Sequence, residues 1–126
     1  MTLQRQLRFI PPILWMIVIF FLSSKSEIPS NKVYEVDFTI KKSLHVLEYF
    51  TLYLLWSFSF GKITARSFYY SLIFAFTDEI HQLFVPNRTG RLRDVMFDTL
   101  GVTLAYLFLS QIKYGRQLSF FTRKRH

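Results

Sequence analysis

Four blocks of this chain are nearly free of charge, and each is about as long as a helix must be to cross a lipid bilayer. They run from Phe9 to Ser24, Ser43 to Phe60, Ser67 to Val85 and Val95 to Ile112. A hydrocarbon core about 30 Å thick asks for roughly 17–25 predominantly apolar residues in helical form. The blocks are apolar around most of their circumference, whereas the helices of a soluble bundle carry a single apolar stripe. The pattern predicts an all-α integral membrane protein: a bundle of four transmembrane helices, forming one domain over residues 1–126, without internal repeats or low-complexity linkers. Pro11 and Pro12 fall in the first turn of the first block, where missing amide donors cost least. That block follows Arg5 and Arg8 as a signal peptide would. No small-x-small cleavage site follows it at Leu22-Ser23-Ser24-Lys25, so it reads as an uncleaved first span.

Composition sharpens this reading. The chain is 51% hydrophobic yet carries sixteen Lys and Arg against eight Asp and Glu. A nucleic-acid binder would spread its basic residues over one folded face; here they collect between apolar blocks, which argues for a lipid bilayer as the partner and against nucleic acid. There is no Cys, which excludes disulfides, thiolate metal sites and Cys nucleophiles. With four spans, both termini share a side. The termini and the loop Gly61 to Arg66 hold nine Lys and Arg, against seven in Lys25 to Lys42 and Pro86 to Asp94. This bias predicts cytoplasmic termini, and the tail cluster Arg123-Lys124-Arg125 reads as a topology determinant or an anionic-lipid contact. Asn87-Arg88-Thr89 matches a glycosylation sequon, with nothing else to suggest that use.

The later blocks carry ionisable residues that hydrophobicity does not explain: His45 and Glu48, then Asp78, Glu79 and His81, then Asp98, with Asp94 at its edge. A charge at mid-bilayer costs about 2.5–3.5 kcal/mol on insertion scales, so such residues are functional candidates. His45 and Glu48 open the second span, Asp78 to Gln82 close the third, and Asp94 and Asp98 open the fourth. Alternating spans bring a start, an end and a start to one membrane face, the outer one if the termini are cytoplasmic. Lys41, His45 and Glu48 form one helical stripe; Asp78 and Gln82 share a face with Ser71 and Ala75. Asp94, Asp98, Gly101 and Ala105 form a third stripe, whose small residues permit close helix approach. Pro86 should end the third helix, and Asn87 to Gly90 reads as a turn setting Arg88, Arg91 and Arg93 over the acids.

Several chemistries suit this set. His45 and Glu48 can act as a general acid/base pair or join a metal site. Asp78, Glu79, Asp94 and Asp98 can hold Mg²⁺ or Ca²⁺, and His45 extends the option to Zn²⁺ or Mn²⁺, although no spacing matches a specific ligand motif. They can equally be paired carboxylates of a hydrolase or glycosyl-transfer site. The bland reading is a salt-bridge network with Lys41, Lys42, Arg88, Arg91 and Arg93. Adjacent helical residues diverge by about 100°. Asp78 is therefore expected at the pocket centre and Glu79 on a basic residue. Arg88 is the anion-binding candidate, with pairing to Asp94 or Asp98 as its alternative. His81 falls off the main stripe. Tyr49, Tyr53, Trp56, Tyr69 and Tyr70 read as interfacial anchors or packing residues, Ser23 and Ser24 lack a nucleophile context, and His126 is uninformative.

Two signatures resemble the VanZ-like family of small bacterial membrane proteins, named for a protein associated with teicoplanin resistance. The first is Lys42-x-x-His45-x-x-Glu48-Tyr49. The second is Asp78-Glu79-x-x-Gln82-x-x-x-Pro86-x-Arg88, continuing to Asp94-x-x-x-Asp98-x-x-Gly101. Asn87 stands where Gly is common in the family, and Ala105 replaces a second Gly. The resemblance implies a cell-envelope role in the bacterial cytoplasmic membrane, with a link to glycopeptide susceptibility. It defines architecture better than reaction, and leaves the cofactor open. Two functions follow. One is a membrane enzyme acting on an anionic lipid-linked or cell-wall substrate, with His45, Glu48, Asp78 and Asp98 catalytic and Lys42, Glu79, Gln82, Arg88 and Asp94 binding. The other is a non-catalytic binder of a lipid head group, envelope precursor or antibiotic. An ion path is disfavoured, because the acids have no continuation toward Lys62 and Arg66.

Overall fold

The computed structural model describes the backbone of residues 3–25, 34–88 and 91–123, and the side chains of 3–25, 38–88, 91–114 and 116. Glu27, Thr89, Gly90, Lys124, Arg125 and His126, and the side chains of Glu35, Asp37 and Arg123, lie outside the described set. The described residues are mostly helical, with no strand among them, in five helices: α1 (Leu3–Leu7), α2 (Ile10–Ser23), α3 (Tyr34–Phe60), α4 (Ala65–Gln82) and α5 (Leu92–Arg123).

Local chemistry sets the boundaries. Helix α1 leads into α2 through a turn in which the Phe9 amide donates to Gln6 O at 3.1 Å, and the two prolines occupy the first turn of α2. Helix α3 ends at Gly61, whose φ of +68° is the left-handed conformation that glycine adopts without penalty. Its amide returns to Phe58 O at 3.0 Å and that of Lys62 to Ser57 O at 3.2 Å, the paired bonds of a Schellman cap. Thr64 then caps α4 by accepting from the Ser67 amide at 3.4 Å. Helix α4 stops at Gln82, four residues before Pro86, and the chain turns through Asn87 at φ +59°. Asn tolerates this region better than other non-glycine residues, which explains why it can stand where Gly is common. Helices α3 and α5 start earlier than the apolar blocks, at Tyr34 and Leu92 instead of Ser43 and Val95, because helix continues past the lipid-compatible stretch.

Contacts along the helices fix their directions. Ser59 bonds Arg8 O and Trp15 bonds Glu48 O, so α2 and α3 run antiparallel. The pairs Phe50–Phe108 and Tyr53–Tyr106, together with His45–Asp98, set α5 parallel to α3. Helix α3 lies in the middle, touching α2, α4 and α5. A Cβ on Gly101 would come within 2.3 Å of Val46 O, so glycine is what lets α5 approach the α3 backbone there. The core around this crossing comprises Tyr49, Leu52, Tyr53 and Trp56 of α3, Phe74 and Ala75 of α4, Val95, Val102 and Ala105 of α5, and Ile19 of α2.

The surface is the reverse of a water-soluble protein's. Among the described residues, buried polar or charged side chains are as numerous as buried apolar ones, while Leu14, Ile17, Phe21, Phe58, Ile73 and Phe108 are among many large apolar side chains on the exterior. Such continuous apolar cover belongs against lipid. Two stretches, Leu3–Ser23 and Leu92–Tyr114, are long and apolar enough to cross a membrane. Helices α3 and α4 carry His45, Glu48, Asp78 and Glu79, which lower their hydropathy.

Candidate functional site

The antiparallel arrangement brings the end of α2, the early turns of α3, the end of α4 and the start of α5 together. Ser71, Ala75, Asp78 and Gln82 are all buried, so the expected stripe of α4 does face inward. Asp78 Oδ2 accepts from Ser23 Oγ at 2.8 Å and from Gln82 Nε2 at 2.9 Å, while Oδ1 has no partner among the described residues. His45 Nδ1 lies 2.9 Å from Asp98 Oδ1; the imidazole is 7% exposed and Asp98 fully buried, and Asp98 Oδ2 is unpartnered. Lys42 pairs with Asp94 beside the rings of Phe38 and Phe97.

Glu79 departs from expectation. It pairs with no basic side chain that the structure describes: Oε2 accepts the Arg91 backbone amide at 3.0 Å, and Oε1 is buried without a partner. Its carboxylate joins His45 and Asp98, one ligand atom of each lying within 4.8 Å of the others. Asp78 sits to one side of this triad, fixed by Ser23 and Gln82. The 100° divergence of neighbours on α4 is real, but both faces are covered, one by α2 and the other by the α4–α5 turn and α5.

The inward face of α3 is also rotated from the expected stripe. Lys41 is exposed and Glu48 half-buried, whereas Lys42 is partly covered, His45 is buried and Tyr49 has no exposure. The working line on α3 is therefore Lys42, His45 and Tyr49. Glu48 stands at its edge, within electrostatic reach of His45, Asp78, Asp98 and Arg88. Tyr49 packs in the core, as expected of it, and also faces the cluster. Its unpartnered hydroxyl lies in the field of Asp98, Asp78, Glu48 and Glu79, and its i+4 spacing from His45 was the available signal.

Ser23, near the end of the first block, joins the site by bonding Asp78 across from α2. Arg88 lies within electrostatic reach of Asp78 and Glu48, and donates to Ser23 O at 2.7 Å and Leu22 O at 3.2 Å, capping the carbonyl end of α2. That contact holds Ser23 against Asp78. His81 stays outside the cluster as expected, stacked on Phe20 at 4.6 Å and 3.4 Å from Ser24 Oγ.

In chemical terms, the site presents an imidazole oriented by a buried carboxylate, a second carboxylate held by a hydroxyl and an amide, and three carboxylate oxygens with unused bonding capacity. Leaving such groups buried and unsatisfied costs about 1–3 kcal/mol each, more when charged. An arrangement that carries this cost is poised to take a proton, a cation or a donor-rich ligand.

Fold, surface and site define a helical membrane protein with an ionisable cluster at one end of its bundle. The chain belongs to the VanZ/LLP1 family, whose sequence model matches residues 8–113, a span that includes every residue of the cluster. Neither a curated protein nor a solved structure matches the chain.

Proposed function

We propose that this VanZ/LLP1 protein is a single-domain, four-span protein of the bacterial cytoplasmic membrane, termini in the cytoplasm, whose ionisable cluster opens to the outer leaflet. There it acts as a membrane enzyme on an anionic lipid-linked or cell-wall substrate, a role that would link it to glycopeptide susceptibility. The observation that carries this reading is the 2.9 Å contact between His45 and Asp98, buried beside unpartnered oxygens of Asp78 and Glu79. Interhelical hydrogen bonds in membranes average only about 0.6 kcal/mol, so packing alone gives little return for inserting these groups.

In this reading Asp98 orients the imidazole, His45 and Glu48 exchange protons with the substrate, and Asp78 stabilises developing positive charge or serves as the second acid. Lys42, Gln82 and Asp94 shape the binding surface, and Arg88 holds the α2 end that delivers Ser23. Lipid mass spectrometry of cells with and without the protein tests it. An enzyme changes a lipid or precursor species, and His45→Ala, Glu48→Ala and Asp78→Ala, if still folded, abolish the change. An unaltered profile with a lipid or precursor co-purifying on the wild-type chain would favour the binding function instead.

A further inference from the structure

We propose that His45, Glu79 and Asp98 form a three-ligand site for a divalent transition-metal ion, of the Zn²⁺ or Mn²⁺ class. The inference rests on reading this end of the bundle as the working site, and adds an identity for what the cluster holds. Each of the three residues contributes one ligand atom to a set lying within 4.8 Å. Bonds of about 2.0–2.2 Å at tetrahedral angles set ligand atoms about 3.4 Å apart, so side-chain shifts of no more than about 1.4 Å close the set on one ion. His45 Nδ1 and Asp98 Oδ1, at 2.9 Å, already have the separation of adjacent ligands, about 3.0 Å for bonds near 2.1 Å at a right angle.

A second, independent observation points to a ligand. Glu79 and Asp98 are 5% and 0% exposed, and each keeps a buried oxygen without a partner. The other Glu79 oxygen is fixed by the Arg91 amide at 3.0 Å, the outer contact that commonly orients a ligating carboxylate. Among the described residues, Lys42 is committed to Asp94, and the ion pair at Asp98 is with His45. A divalent ion replaces the proton shared by His45 and Asp98 and offsets two buried carboxylates at once. One imidazole and two carboxylates match the mixed N/O preference of Zn²⁺ and Mn²⁺ better than the all-oxygen shells of Ca²⁺. Three protein ligands leave room for an outside oxygen, the pattern of catalytic rather than structural sites. With the ion bound, His45 and Asp98 hold it instead of serving proton transfer, and Asp78 and Glu48 are left as the proton-handling carboxylates.

The test is metal content and affinity of the full chain, without an affinity tag, purified in nanodiscs and equilibrated with Zn²⁺ or Mn²⁺. The expected result is about one ion per chain, lost by at least tenfold in affinity in Glu79→Gln, Asp98→Asn and His45→Gln, but retained in Asp78→Asn, which changes a neighbouring carboxylate outside the set. A protein-bound Mn²⁺ resonance, broadened in wild type and absent in Asp98→Asn, gives the same answer without any activity. Circular dichroism and size exclusion identify variants that fail to fold. Should one fail, the comparison of wild type with the conservative Glu79→Asp, which should weaken but keep binding, carries the test. No stoichiometric ion in wild type, or binding in Glu79→Gln, Asp98→Asn and His45→Gln equal to wild type, overturns the proposal. Metal binding without any lipid change would sink the enzymatic reading while leaving the metal site standing.

Discussion

Among the described residues, the two ends of this bundle differ in which charges they bury: acids at one, none at the other. At one end the side chains of Glu48, Asp78, Glu79, Asp94 and Asp98 are drawn inward, and most are covered by neighbouring helices. At the other end Arg5, Arg8, Lys62 and Arg66 line a cavity of about 460 Å³ but remain exposed, around a Ser59 hydroxyl committed to backbone carbonyls. Short carboxylates cannot reach water from inside a helix bundle, whereas long basic side chains snorkel out to the interface. The acidic end therefore carries a burial cost that Lys42, His45, Ser23 and Gln82 offset only in part, and the basic end carries almost none. Function is expected where the cost is borne; orientation and lipid contact are expected where it is not.

This contrast can be broken by mutation. The largest effect is expected at the buried imidazole: His45→Ala should reduce any lipid-modifying activity by two to four orders of magnitude, read by mass spectrometry, while the chain stays helical. Next comes the crossing that supports the acidic end. Gly101→Ala drives a methyl into Val46 O, and should cost about 1–3 kcal/mol, read as a lower unfolding midpoint in detergent. Ser23→Ala removes one of the two side-chain bonds to Asp78 and should cost about 1 kcal/mol. The smallest effect belongs to the basic end, where Lys62→Gln with Arg66→Gln should leave activity and unfolding midpoint unchanged, any change appearing in the fraction inserted in the correct orientation. A basic-end variant as damaging as His45→Ala would dissolve the distinction.

Much of the acidic end was legible because its signal is simple. Charges inside apolar blocks are rare, and alternating spans fix which of them meet. The stripe Ser71, Ala75, Asp78 and Gln82 and the glycine approach at Gly101 followed from helical spacing alone. What was not legible depended on rotation and on second partners. Whether Glu48 or Tyr49 points inward differs by one residue of register on α3, which periodicity among mostly apolar neighbours does not resolve. Glu79 was expected to pair with a basic residue; one of its oxygens meets the Arg91 amide, a backbone donor that has no residue-type signature, and the other is left without a partner. Arg88 was expected over the acids, and its contacts with the carbonyls at the end of α2, which have no residue-type signature, could not be read from sequence. Ser23 has no base beside it in sequence, and the carboxylate it holds lies 55 residues away.

The account stands on the two ends facing opposite sides of the membrane, and the cysteine-free chain allows that to be measured directly. Phe84, 82% exposed beside the acidic end, and Lys62 at the basic end are changed singly to cysteine. Intact cells are then treated with a membrane-impermeant maleimide. Labelling of Phe84→Cys from outside, with Lys62→Cys reached only after permeabilisation, is the predicted result. Labelling of both positions from the same side, or of Lys62→Cys alone from outside, would contradict it.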